Sequence, residues 1–157
     1  METKFQQELE IKAEDNRVIS GYGATFNDVP DSYNDVIAPG AFLKSLNSGR
    51  KVKMAWNHDL NTIIGRWDEV REDSKGLFVK GTISKTNKGD EVYELIRDGS
   101  IDSFSIGYKL TDKEYKGNLR IIKSVELYEV SVVSVPANAN ALIDAVKAAT
   151  LSIRDME

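Results

Sequence analysis

Apolar and polar residues alternate along much of this chain, most regularly between residues 103 and 110. The apolar positions there are Phe104, Ile106, Tyr108 and Leu110, and the positions between them are Ser103, Ser105, Gly107 and Lys109. A period of two is typical of a half-buried β-strand, because successive side chains point to opposite faces. The pattern predicts a strand with one apolar face and one face of small residues. Ser105 lies on the small face, where a neighbouring backbone has room to approach closely.

Other segments show either this alternation or a helical spacing of apolar residues. We predict further strands in 5–13, 17–26, 52–56, 63–70, 77–83 and 119–135, and helices in 41–46, 88–97 and 138–153. The run 119–135 is apolar at both parities, which predicts burial on both faces. About five to seven strands with about three short helices predict an α+β, mainly β fold. We expect a small, mostly antiparallel β-barrel flanked by the helices.

Composition narrows the class of protein. A length of 157 residues predicts a single domain spanning the whole chain, 1–157. The absence of cysteine excludes disulfides, thiolate metal sites and cysteine nucleophiles. A net charge of −4 without clustered lysine and arginine argues against nucleic-acid binding. No apolar run is long enough to cross a membrane and the first residues lack a signal-peptide core, so we expect a soluble, non-secreted protein.

A serine in a strand is a candidate nucleophile only if a base and an acid lie near it. The single histidine, His58, follows the strand predicted at 52–56, and Glu129 interrupts an apolar run. A carboxylate facing a protein interior needs a hydrogen-bond donor, and an imidazole N–H is one such donor. Ser105, His58 and Glu129 are therefore a candidate catalytic triad. Glu126 is the alternative acid, with Asp59 behind it.

Each of these residues also has a structural explanation. Ser105 suits a strand under a close-packed neighbour, and a backbone amide, a tyrosine or an arginine would equally satisfy Glu129. A hydrolase built on Glu126 and Glu129 is disfavoured, because a separation of three places them on opposite strand faces. One histidine does not build a multi-histidine zinc centre, and the scattered glycines form no phosphate cradle, so we predict no metal and no cofactor.

Six short blocks, in order along the chain, are similar to a known family. They are Ile37–Phe42, Trp56–Asp59, Ile64–Arg66, Ser103–Tyr108, Leu127–Ser131 and Val135–Asn138. This succession resembles the tailed-phage prohead maturation serine proteases, which are related in fold to the herpesvirus assemblin proteases. The resemblance spans about residues 17 to 147.

The resemblance implies roles for individual residues. Ser105 would be the nucleophile, His58 the general base and Glu129 the third member of the triad. Arg66 would help to stabilise the oxyanion, with a surface ion pair as its alternative explanation.

The resemblance also implies a biological setting. Such an enzyme works inside the assembling prohead, in the bacterial host cytoplasm, where it cleaves the scaffolding region of the major capsid protein and finally itself. We expect low activity before assembly, with a homo-oligomer as one means of activation, and a C-terminal extension outside the sequence given. The main alternative is a non-catalytic β-barrel module that binds capsid or scaffold protein.

Overall fold

A computed structural model describes residues 2–6, 12–13, 16–26, 30 and 34–134 of the chain. Nine strands and two helices occur in this part of the protein. The strands are β1 (Glu2–Gln6), β2 (Lys12–Ala13), β3 (Val18–Thr25), β4 (Asp35–Ile37), β5 (Lys53–Trp56), β6 (Asp59–Glu72), β7 (Gly76–Ile83), β8 (Ser103–Lys116) and β9 (Leu119–Val133). The helices are α1 (Leu43–Asn47) and α2 (Asn87–Arg97).

All the strands belong to one sheet, in the order β1-β8-β9-β5-β6-β7-β3-β2, and β4 pairs with β9 beside this path. The sheet is mainly antiparallel, as predicted, but β4 and β5 both pair with β9 in parallel. It curls so that β3 lies against β8, and Gly23 of β3 faces the side chains of Ile106 and Val130. Over the described residues the hydrogen-bonded ladder runs from β1 to β2 without closing, so the predicted closed barrel is not confirmed.

Both predicted helices in the described part of the chain are confirmed. The longer one, α2, begins after Thr86, whose hydroxyl accepts a hydrogen bond from Gly89 N, as a serine or threonine cap is expected to do. The sequence predicts an apolar stripe of Val92, Leu95 and Ile96 on this helix. Val92 and Ile96 are buried, but Leu95 is 38% exposed, and Tyr93 is buried in its place. The third predicted helix, 138–153, and the end of the last strand at 135 lie outside the described residues.

The strand that carries Ser105 is buried on both faces from Ser103 to Tyr108. Its apolar face is part of the main hydrophobic core, which also contains residues of β3, β7, β9 and α2. Its face of small residues pairs with polar residues of β9, since Ser105 lies opposite Ser131 and Gly107 lies opposite Glu129. This register places a hydroxyl and a carboxylate together on a buried surface.

Between the stretches of β9 that pair with β4 and with β5, its backbone bonds to residues 41–45, which include the first turn of α1. Val125 N donates to Ala41 O at 3.1 Å, and Leu127 N donates to the Ser45 hydroxyl at 2.8 Å. These bonds satisfy backbone amides that neither β4 nor β5 reaches. Glu72 in turn accepts hydrogen bonds from Gly40 N and from Phe42 N, which fixes the turn before α1.

Candidate active site

His58 lies in a tight turn between β5 and β6. Trp56 pairs with Asp59, and the two residues between them, Asn57 and His58, have φ angles of 49° and 63°. Left-handed backbone at both central positions is the geometry of a two-residue hairpin turn, and asparagine adopts it more readily than most residues. The sequence prediction that His58 follows a strand end is therefore confirmed.

Asn57 fastens this turn to the end of β9. Its backbone N–H donates to Val132 O at 3.0 Å, and its side-chain oxygen accepts a hydrogen bond from Ser134 N, also at 3.0 Å. An uncommon backbone conformation persists only where surrounding contacts hold it. Sequence reasoning missed this function of Asn57, although its place before the only histidine of the chain was visible.

The imidazole of His58 joins two residues that are distant in sequence. Its Nε2 lies 2.7 Å from Ser105 Oγ, and its Nδ1 is hydrogen-bonded to Glu129 Oε1. Ser105 and Glu129 are both fully buried, whereas the His58 side chain is 24% exposed. The hydroxyl, the ring and the carboxylate form one continuous hydrogen-bonded chain.

The acceptor oxygens fix the direction of these hydrogen bonds. An ionised carboxylate only accepts, so Nδ1 of His58 carries the proton that is shared with Glu129. In the neutral ring Nε2 then has a free lone pair, and the Ser105 hydroxyl donates to it. Such an arrangement is able to take the proton of Ser105 onto a ring whose resulting positive charge faces a carboxylate.

The carboxylate has a further neighbour that sequence reasoning did not identify. The Ser131 hydroxyl donates to Glu129 Oε1 at 2.8 Å, and both side chains are fully buried. Ser131 stands two residues after Glu129 in a strand, so a shared face was the available signal.

Glu126 and Asp59, the alternative acids, are engaged elsewhere. Glu126 accepts a hydrogen bond from the Tyr128 hydroxyl at 2.9 Å, and its side chain is 44% exposed. Asp59 accepts from the Thr62 hydroxyl and from Asn61 N, and these bonds, that of Thr62 first, hold the pKa of Asp59 below its ordinary value. Neither carboxylate takes the place that Glu129 occupies beside His58.

Arg66 is not brought into this cluster. Its Nε donates to Asp68 Oδ1 at 3.0 Å, and its side chain is 62% exposed. Asp68 also accepts a hydrogen bond from the Thr82 hydroxyl. The surface ion pair that the sequence left open as an alternative is the arrangement observed.

Within the described residues, no group of three or more histidine, cysteine, aspartate or glutamate side chains is placed to hold a metal ion. Neither described helix has the length and apolar character required to cross a bilayer.

The sequence profile of the caudovirus prohead serine proteases matches residues 6–156. The chain belongs to this family. Two curated relatives that are named prohead protease agree with the assignment. The prohead protease of Enterobacteria phage HK97 is 36% identical over 148 residues, which cover 89% of this chain and 65% of the relative. The prohead protease of Escherichia phage T5 is 31% identical, with 82% and 62% covered.

The third relative is of a different kind. The capsid polyprotein of Pseudomonas phage PAJU2 is 31% identical over 151 residues, which cover 88% of this chain but 22% of the polyprotein. The chain thus spans less than two thirds of the length of each of these relatives.

Among solved structures, the bacteriophage T4 capsid assembly protease gp21 superposes with a TM-score of 0.65 at 13% identity. The match covers 86% of this chain and 98% of the T4 chain. This likeness supports a shared fold. The varicella-zoster virus protease gives a TM-score of 0.42 at 15% identity, with 73% and 56% covered.

Proposed function

We propose that this protein is a serine endopeptidase of phage head maturation, with Ser105 as nucleophile, His58 as general base and Glu129 as the acid that orients the ring. One observation carries the proposal. A serine hydroxyl, an imidazole and a buried carboxylate from three separate strands or turns form a single hydrogen-bonded chain. Family membership supports the same chemistry.

The proposed reaction has two acyl-transfer steps. Ser105 Oγ passes its proton to His58 Nε2 and bonds to the carbonyl carbon of the substrate. The peptide C–N bond then breaks, and the imidazolium of His58 gives its proton to the departing amine. Water repeats the sequence on the acyl-enzyme, which releases the carboxylic acid and restores the Ser105 hydroxyl.

Glu129 stabilises the intermediate imidazolium without moving a proton itself. Because Glu129 is fully buried, its attraction for the charged ring is less screened than it would be in water.

Oxyanion stabilisation by Arg66 stays a prediction. The guanidinium would have to exchange its contact with Asp68 for the substrate oxygen, directly or through a held water. An exposed ion pair of this kind contributes little energy, so such an exchange costs about 1 kcal/mol or less.

The proposed substrate is the scaffolding region of the major capsid protein, followed by the protease itself. The relatives named prohead protease and capsid polyprotein support a link to capsid proteins. The proposed place of action is the interior of the assembling prohead in the bacterial cytoplasm.

Full burial of Ser105 supports low activity before assembly, since a peptide has to gain access to the hydroxyl. A homo-oligomer formed at high local concentration would favour an open form by mass action.

Co-expression with the cognate capsid protein tests the proposal. We expect the wild-type chain to convert the capsid protein to a shorter product, and Ser105→Ala to leave it intact. Ser103→Ala is the matched control, because Ser103 is a buried serine of the same strand that bonds to Asp102 instead of His58. Unchanged cleavage by Ser105→Ala, mapped by mass spectrometry, would favour the non-catalytic capsid-binding module.

A further inference from the structure

The carboxylate of Glu129 is held unevenly. Its Oε1 accepts from both His58 Nδ1 and the Ser131 hydroxyl, whereas no described residue donates to its Oε2. A buried carboxylate with one unpaired oxygen gains few hydrogen bonds to fix its orientation. The position of Oε1 beside His58 therefore depends on the few contacts that this side chain has.

Gly107 matters to this carboxylate because it has no side chain. A β-carbon built at Gly107 would lie 2.6 Å from Glu129 Cγ, 2.8 Å from Cδ and 3.1 Å from Oε1, and these are its three nearest neighbours. The first two distances are shorter than real carbon contacts. The backbone φ of Gly107 lies outside the left-handed region, so the chain conformation itself does not require glycine. What requires glycine at this position is the space that Glu129 fills.

Ser131 constrains the same carboxylate from its own strand. Its hydroxyl lies 2.8 Å from Oε1, the oxygen that also faces His58. Ser131 is directly opposite Ser105 in the β8–β9 ladder, and Gly107 is directly opposite Glu129. The two neighbours therefore act on the carboxylate by different means: Gly107 leaves the space that it fills, and Ser131 holds it by a hydrogen bond.

We propose that Gly107 and Ser131 are positioning residues that hold Oε1 of Glu129 against Nδ1 of His58. The proposal rests on the proposed function for its catalytic consequence, but its structural content concerns only Gly107, Ser131, Glu129 and His58. Neither positioning residue is assigned a part in forming or breaking bonds.

A double-mutant cycle tests the role of Gly107 without any substrate. We expect Gly107→Ala to lower the midpoint of chemical denaturation in the wild-type background, and to lower it much less in a Glu129→Ala background, where the clashing atoms are gone. Gly23→Ala is the control. Its added carbon would meet side-chain atoms of Val130 and Ile106 at 3.1–3.4 Å, so its effect should not depend on Glu129. Equal effects of Gly107→Ala in both backgrounds would overturn the assignment.

The histidine ring supplies a second readout. His58 is the single histidine of the chain, so its ring ¹⁵N signals need no assignment. In the wild type we expect the neutral ring to carry its proton on Nδ1. Gly107→Ala and Ser131→Ala should each shift the ring toward a mixture of tautomers, whereas Ser103→Ala should not. Retention of the wild-type tautomer in both positioning variants would contradict the proposal.

Kinetics on purified capsid protein complete the test. For Gly107→Ala we expect kcat to fall on the order of a hundredfold, because a misplaced catalytic group is costly. For Ser131→Ala we expect a fall of about tenfold, since one hydrogen bond to a charged group is lost. KM should remain unchanged in both. Ser131→Thr keeps the hydroxyl and should restore most of the rate and the tautomer; a Thr variant that folds but behaves like Ser131→Ala would refute the hydrogen-bond role.

The readouts separate this proposal from the proposed function. If Ser105→Ala still cleaves capsid protein while the tautomer and the cycle behave as expected, the proposed function fails and the positioning holds. Suppose instead that Ser105→Ala is inactive, that the His58 tautomer is unchanged in Gly107→Ala and Ser131→Ala, and that Gly107→Ala has equal effects in both backgrounds of the cycle. In that case the positioning proposal fails and the proposed function stands.

Discussion

Strand β9 has a buried carboxylate associated with each of its ends, and the two are paired in different ways. Near its start, Arg120 of β9 binds Asp35 of β4, with Nε–Oδ1 at 2.9 Å and Nη2–Oδ2 at 2.7 Å. Near its end, Glu129 of β9 binds His58. The side chains of Asp35 and Arg120 are 2% and 11% exposed, and that of Glu129 is fully buried. Burial alone therefore does not distinguish the two sites.

The partner of each carboxylate makes the difference. A guanidinium matches both oxygens of Asp35 and stays protonated in proteins, so this pair is fixed in geometry and charge. An imidazole meets one oxygen of Glu129 and, unlike a guanidinium, is able to accept and release a proton. The Arg120–Asp35 pair is suited to joining β4 to β9, and the His58–Glu129 pair is suited to proton transfer.

The largest effect is expected from His58→Gly, which removes the proposed base and keeps the left-handed turn accessible. We expect the rate of capsid-protein cleavage to fall roughly a thousandfold or more, and the denaturation midpoint to fall as well, because the buried Glu129 carboxylate loses its imidazole partner. Asn57→Gly is the comparison, because it keeps the imidazole and the backbone bond to Val132 O and loses only the side-chain bond from Ser134 N, so its rate should fall far less. Gel-based cleavage rates of the two variants provide the measurement, and equal rates would contradict the role of His58.

Asp35→Asn should have the next largest effect, but on stability. It removes the charged group that Arg120 binds through two hydrogen bonds, and breaking a buried ion pair in this way costs about 3–5 kcal/mol. The free energy of unfolding from urea titration checks this value. Because the pair is separate from the cluster of His58, the folded variant should cleave at the wild-type rate; a large fall in rate would show that the two ends of β9 are coupled.

Glu129→Gln should affect both quantities to a lesser degree. The amide presents an N–H₂ group where only acceptors were needed, so we expect a loss in stability of about 1–3 kcal/mol. We also expect a fall in the cleavage rate that is smaller than that of His58→Gly. Glu126→Gln serves as the control, since Glu126 contacts Tyr128 and Arg50 at the surface. A full rate for Glu129→Gln together with a reduced rate for Glu126→Gln would transfer the acid role to Glu126.

The partly buried carboxylate of Asp73 is expected to show the smallest effect. The Tyr22 hydroxyl donates to Asp73 Oδ2 at 2.6 Å; this bond is the main cause that lowers the pKa of Asp73 and raises the pKa of Tyr22. A lowered carboxyl pKa contributes stability above the unfolded pKa and loses it as the pH falls through the folded pKa. A raised tyrosine pKa contributes stability below the unfolded pKa and loses it as the pH rises through the folded pKa.

The difference in Tm between wild type and Tyr22→Phe should therefore be small and positive over the plateau between the ordinary values of 3.8 and 10.0. It should decline outside that plateau on both sides. Thermal denaturation across this pH range measures it, and a difference that grows in acid would refute the assignment.

The sequence was most informative where a local pattern decides the structure. Alternation around Ser105 predicted its strand and its face of small residues, although that face is buried and the predicted strand was half-buried. The apolar run around Glu129 predicted that its carboxylate would be buried. Helical spacing likewise located α2 within a residue of its observed bounds. In each case the signal lies within a few neighbouring residues.

Long-range pairing was harder to predict. Strands of three and four residues, Asp35–Ile37 and Lys53–Trp56, are too short to indicate which partner they pair with, so their parallel ladders with β9 were not anticipated. The roles of Asn57 and Ser131 depend on hydrogen bonds formed only in the folded chain. Strand alternation places Ser131 on the same face as Glu129, but it does not indicate which groups will bond, because those partners are set by tertiary structure.

The most direct measurement is the site of covalent modification by a fluorophosphonate in the presence of the cognate capsid protein. The reagent forms an Oγ–P bond with an activated serine, releases fluoride and gives the hydroxyl proton to the neighbouring base. We predict an adduct on the peptide that contains Ser105, and a strongly reduced yield of that adduct in His58→Gly. An adduct on a different residue, or an undiminished yield in His58→Gly, would contradict the account.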